Sequence, residues 1–153
     1  MNEITLTPIG VVRNEIKKTG FHEHQNIVSE IEIDAKWTEL LDGIEEFSHI
    51  IVLFWMHKVS PNTPPPVKVH PRGRADLPLV GTFATRSPHR PNSIGITIVK
   101  LLERRGNVLR VQGLDAIDGT PVIDIKSYMI PKIARNELRM PEWVAKLRKP
   151  PKP

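Results

Sequence analysis

The sequence predicts a mainly β protein, a barrel or sandwich with one or two short helices and a long proline-rich loop. Short apolar runs rich in β-branched and aromatic residues recur between turn residues, the pattern of many short strands. Residues 59–78 hold six prolines, too many for any regular element. Neither a Gly-x-Gly-x-x-Gly fingerprint nor a P-loop follows any strand, so a nucleotide-binding βαβ fold is not expected. The 153 residues suffice to bury a core without staples, and the absence of cysteine excludes disulfides and thiolate metal sites.

Taken in order, Ile4 to Arg13 reads as a strand interrupted at Pro8, which favours an edge or a bend. Residues 14–25 are polar and contain Phe21-His22-Glu23-His24-Gln25, a loop suited to lining a site; no third ligand stands nearby to make the histidines a metal centre. Ile27 to Ile33 ends in alternation, with Ile31 and Ile33 inward. Asp34 can cap a short helix with Trp37, Leu40 and Leu41 on one face, stopped by Gly43. The run from Phe47 to Lys58 is nearly all apolar and reads as a central strand buried on both faces. Ile94 to Leu102 and Val108 to Leu114 form a strand pair about Gly106-Asn107, and Val122 to Tyr128 is the last strand. Pro141 and Glu142 can open a terminal helix with Trp143, Val144 and Leu147 on one side.

Charge is unevenly placed. Of 22 basic and 17 acidic residues, residues 132–153 hold seven basic and two acidic, so the whole net charge of +5 resides in the tail. A basic middle, residues 58–90, adds six bases against Asp76 alone, and this suits a polyanion such as RNA. The N-terminus has neither a basic nor an apolar region of the signal-peptide kind, and the longest apolar run is too short to span a bilayer. A cytoplasmic protein with no membrane attachment is expected.

Between two apolar runs lies the stretch from Thr82 to Ile96, with Arg86 and Arg90, His89, two hydroxyls, Asn92, and the stiffening Pro88 and Pro91. A plain turn needs no pair of arginines, so the stretch reads as a rigid cradle for an anionic or polar ligand. Asp118-Gly119 by itself is an ordinary turn. A buried ion pair between Asp118 and Arg86 is an equally physical use of those residues.

Four segments in a fixed order extend this further: Ile9-Gly10-Val11-Val12-Arg13, Leu41 through His49, residues 81–95, and Gly113 through Lys126. Over roughly residues 5–131 the chain resembles the TsaA-like (TrmO-type) family of S-adenosylmethionine-dependent tRNA methyltransferases. The resemblance implies a single small β-barrel over 1–131, with 132–153 a short basic, partly helical extension. It implies a homodimer that binds S-adenosyl-L-methionine and methylates N6 of the threonylcarbamoyl-modified adenosine next to the tRNA anticodon. By position, cofactor contacts fall on His24, Gln25, His57, Lys58, Arg86, Ile96, Asp118, Gly119, Thr120 and Pro121. Asp118 is the candidate catalytic acceptor; Arg72, Arg74, Arg90 and Asn92 are placed on the RNA side, and no metal is expected. The match departs from the family at Glu23-His24, Ser93 and Ser127. Two other uses of the same residues stay open: a non-catalytic RNA- or nucleotide-binding barrel, and a methyltransferase with another small acceptor.

Overall fold

The run that follows Phe47 supplies the strand around which the sheet closes. In the computed structural model, which describes residues 2–60 and 64–151, eight strands follow one another. They are β1 (Gly10–Arg13), β2 (Val28–Ile33), β3 (His49–Trp55), β4 (Lys68–Val69), β5 (Val80–Gly81), β6 (Ile94–Arg105), β7 (Val108–Gln112) and β8 (Pro121–Ser127). Six of them close an antiparallel barrel in the order β1-β2-β7-β6-β3-β8. Lys152, part of the expected basic end, lies outside the described residues.

The interior is filled by alternate residues of every strand, as a closed barrel requires. Val12, Ile31, Ile33, Ile50, Val52, Phe54, Val99, Leu109, Val111 and Val122 are each almost wholly buried. Removing one such side chain from water contributes about 1.5–3 kcal/mol. Closure is completed by β1 pairing with β8, Gly10 opposite Val122 and Val11 opposite Pro121. The β6–β7 hairpin turns through Gly106 and Asn107, as the sequence predicts, with Gly106 at φ +60° where a side chain would be strained.

Three details differ from expectation. Burial along β3 alternates, so Ile51, Leu53 and Trp55 are only half-buried on the outer side. A closed barrel has one interior, so only alternate residues of a strand are buried in it. Regular pairing begins only at Gly10, after Pro8, whose missing N–H cannot join a ladder. The Asp34-capped segment is a 3-10 helix, Ala35–Leu41, in which Leu41 is buried while Leu40 points outward at 76% exposure.

The chain divides into two compact units, Met1–Lys58 with Ile94–Met129, and Val59–Ser93 with Ile130–Pro153. The barrel is the first. In the second, the described residues of the proline-rich segment carry structure of their own: β4 and β5 form a two-residue ladder, and Pro71, Leu77 and Thr82 are buried. The Thr82 hydroxyl donates to the Pro66 carbonyl, and its N–H to the Val67 carbonyl, 3.1 Å away. Prolines exclude an α-helix here, leaving a 3-10 turn at Pro71–Gly73, but their carbonyls remain as acceptors. The tail belongs to this unit, with an α-helix, α1 (Glu142–Lys146); Trp143, Val144 and the following Leu147 are half-buried, as anticipated.

Gly95 lies opposite Phe54 across the β3–β6 pair, and a Cβ there would collide with the Phe54 ring. Phe54 is 4% exposed and has no room to withdraw. Gly95→Ala should therefore cost about 1–3 kcal/mol of stability by overpacking, read as a lower urea midpoint at unchanged slope.

Candidate functional site

The polar centre of the barrel unit is built where β1 runs out and β8 begins. Gly119, at φ +78°, lets the chain turn so that its N–H meets the Val12 carbonyl at 2.8 Å, while the Val12 N–H meets the Thr120 carbonyl at 2.9 Å. The same crossing brings the Asp118 N–H to the Ile16 carbonyl at 2.7 Å. Asp118 is thereby presented to the loop after β1. Its Oδ1 accepts the Asn14 N–H at 3.1 Å, and its Oδ2 pairs with Lys17 Nζ at 2.7 Å.

Asn14 organises this loop. Its amide donates to the Ala116 carbonyl at 2.8 Å and to the buried Ser29 hydroxyl at 3.0 Å, and its Oδ1 accepts from the Ile16 N–H. Lys17 donates to the Asn14 carbonyl, and Lys58 reaches the Lys17 carbonyl at 3.2 Å. Asp118, Gly119, Thr120, Pro121 and Lys58, all expected at a site, are thus drawn together with two residues sequence reasoning missed, Asn14 and Lys17. An asparagine after a strand is an ordinary turn residue; the one available signal was its place directly after the segment Ile9 to Arg13.

The Lys17 bond, then the Asn14 N–H, holds the Asp118 carboxyl below its ordinary pKa. His57 goes down for a different reason: burial penalises its charged form, and the Lys58 charge adds to this. The His57 Nδ1 is buried with no hydrogen-bond partner among the described residues, an unusual state for a polar atom. His24 stands 3.5 Å from Asp115, while Gln25 is exposed and its carbonyl accepts from Gln112. Ile96 lies on the outer face of β6, 48% exposed. No group of three or more His, Asp or Glu capable of holding a metal occurs among the described residues.

In the second unit Arg90 ties together the stretch expected to form a cradle. Its guanidinium donates to the Thr85 carbonyl at 3.0 Å, with longer bonds to Thr82 and Ser87, and lies 5.5 Å over the Phe83 ring. Arg86 and Asn92 are exposed. Arg72 and Arg74, expected on the RNA side, are engaged by the tail: Arg72 donates to the Leu147 carbonyl at 2.7 Å, Arg74 to those of Lys146 and Lys149 at 2.8 and 2.6 Å.

The sequence profile of the tRNA-methyltransferase O N-terminal domain matches residues 17–132. The chain belongs to that family. A probable S-adenosyl-L-methionine-binding protein of Methanothermobacter thermautotrophicus is 45% identical over 130 residues, 82% of this chain and 90% of that protein. The mouse tRNA (adenine(37)-N6)-methyltransferase is 48% identical over 89 residues, 58% of this chain but only 20% of the mouse protein. A crystal structure of TrmO from Pseudomonas aeruginosa superposes with a TM-score of 0.71 at 30% identity, over 93% of this chain and 62% of that one. This TrmO family member therefore spans somewhat less than two thirds of the bacterial chain, and a fifth of the mouse one. Its barrel is the mainly β fold expected from sequence.

Both shifted groups make acid destabilising. The lowered Asp118 value gives stability that is present above the ordinary carboxylate range and lost as pH falls through the folded value. The lowered His57 value gives stability complete above about pH 6.5 and lost below it, because burial resists the proton. Urea midpoints measured downward from neutral pH should fall in two windows; His57→Asn should remove the upper one, and Asp118→Asn should shrink the lower, to which Asp34 and Glu45, also held below their ordinary values, contribute.

Proposed function

We propose that the protein transfers a methyl group from S-adenosyl-L-methionine to N6 of the threonylcarbamoyl-modified adenosine beside the tRNA anticodon. Family membership carries this reading: relatives 45% identical are named for binding the cofactor, and the mouse relative for methylating adenine 37 of tRNA. The Asp118 loop fits such a ligand. Its backbone N–H groups at 118, 119 and 120 are all bonded to carbonyls of the chain itself, so the loop offers acceptors, not donors. A carboxylate held ionised suits the ammonium or ribose hydroxyls of the cofactor. Arg86, an exposed guanidinium, is carried by its family position as the candidate donor to the cofactor's carboxylate.

When bound, the cofactor supplies an electrophilic methyl on a sulfonium, and in-line attack by the adenine nitrogen displaces the thioether. What the protein adds is positioning and exclusion of water. Asp118 is a weak base because its pKa is depressed, so it serves as an anchor that orients rather than as the proton's destination. His24, Gln25, His57, Lys58, Ile96, Thr120 and Pro121 are carried as further contacts by their positions in the family.

A tRNA substrate supports a cytoplasmic location; no helix among the described residues is long and apolar enough to cross a membrane. A homodimer is proposed on the outer face of β3 and β6, where Ile51, Leu53 and Trp55 pair with Ile98, Ile96 and Ile94. The three β6 residues are 50, 48 and 38% exposed, an apolar strip that a second copy would cover.

Arg86→Ala should weaken cofactor binding about ten- to hundredfold, the usual strength of a charge-assisted pair, in calorimetry; normal binding would remove Arg86 from the site. Incubating labelled cofactor with bulk tRNA from a strain lacking the gene should label that tRNA. Binding of cofactor without transfer would favour the non-catalytic barrel. Light scattering should report a dimer that Ile98→Glu converts to monomer.

A further inference from the structure

The two compact units carry opposite charge. The barrel unit holds ten basic and fourteen acidic residues, net −4, whereas the second unit holds twelve basic and three acidic, net +9. The cations are also used differently. In the barrel unit Arg13, Lys17, Lys36, Arg104, Arg105 and Lys126 each meet a carboxylate. In the tail Lys132, Arg135, Arg139, Lys146, Arg148 and Lys149 are all exposed, and none meets an acidic side chain among the described residues.

Such a strip on a frayed tail would bind weakly, because each pairing with a ligand would have to order it. Residues 146–150, however, are held in place. Arg74 is locked by Asp76 through two bonds of 3.0 and 2.6 Å, its side chain 11% exposed, and directs its other donors to the carbonyls of Lys146, Lys149 and Pro150. Arg72 adds the Leu147 carbonyl, from a backbone at φ +54°, a conformation side chains rarely adopt. Carbonyls at the end of a helix are partly negative, so a guanidinium is their natural partner.

We infer that the second unit is an RNA-phosphate docking surface in which Arg72 and Arg74 are clamp residues and the cations of 132–149 without acidic partners meet the phosphates. The clamp pre-orders the strip, and the phosphates release counterions on binding. The inference rests on the tRNA reading above, since it names the face that holds that substrate.

The test measures binding of bulk tRNA to the full chain across salt, with cofactor affinity followed separately by calorimetry. Arg148→Ala with Lys149→Ala should lower tRNA affinity about tenfold and flatten the slope of log K on log salt by about 1.4–1.8, as removing two cation–phosphate pairs requires. Arg74→Lys, which keeps the charge but loses the fork, should also weaken tRNA binding while leaving cofactor affinity unchanged. An unaltered affinity and slope in the double variant would overturn the inference, as would tighter binding to phosphatidylserine vesicles than to tRNA. Methylation of tRNA with an unchanged KM in the double variant would sink the surface and leave the enzyme standing. Salt-dependent tRNA binding that disappears in the variants, with no methyl transfer by the wild type, would do the reverse.

Discussion

Everything at the candidate site hangs on how the barrel closes. The ladder between β1 and β8 is only two residue pairs long, and the chain extends it past the strands by the reciprocal bonds between Val12 and residues 119 and 120. Those bonds fix the Asp118 turn relative to the loop that starts at Asn14. On its other side β1 lies close to β2 because residue 10 is glycine: a Cβ there would collide with the Glu32 carbonyl. The carboxylate is therefore placed by backbone hydrogen bonds, which are stiff, while its charge is set by Lys17 and the Asn14 N–H.

The two units solve different physical problems. The barrel unit has a dry core and neutralises its cations locally, Arg104 for instance joining Asp42 and Glu45 with the carbonyls of Thr38 and Leu41. The second unit has little apolar interior to rely on. It is held by carbonyls: Arg90 gathers three of them in the cradle, and Arg72 and Arg74 gather four from the tail. Guanidinium planes that satisfy several acceptors substitute there for packing.

Most of the barrel was legible because period-two alternation and turn residues are local signals. Ile31 and Ile33, the Gly106-Asn107 hairpin and the final strand fall where the pattern puts them. The outer face of β3 was misjudged because an unbroken apolar run does not say whether both faces are covered. The proline-rich segment was misjudged because its order comes from pairing with Val80 and Gly81 and from bonds to Thr82, in the stretch that follows it, which proline density does not record. The polar turn at Asp118-Gly119 was legible from its turn residues. Asn14 was not, since its role exists only once β1 and residues 116–118 are side by side.

The way the second unit is assembled from two distant segments also has a consequence in time. Arg74 is made 72 residues before the Lys146 carbonyl it holds. At about 5–20 residues per second, a growing chain would carry the proline-rich segment for roughly 4–14 s before its partner existed. During that interval β2, β3 and the strands that complete the barrel can emerge and pair among themselves. The basic segment would meanwhile be solvated and unclamped, in a cell full of RNA. The net negative charge of the barrel unit would oppose binding to a polyanion over that interval.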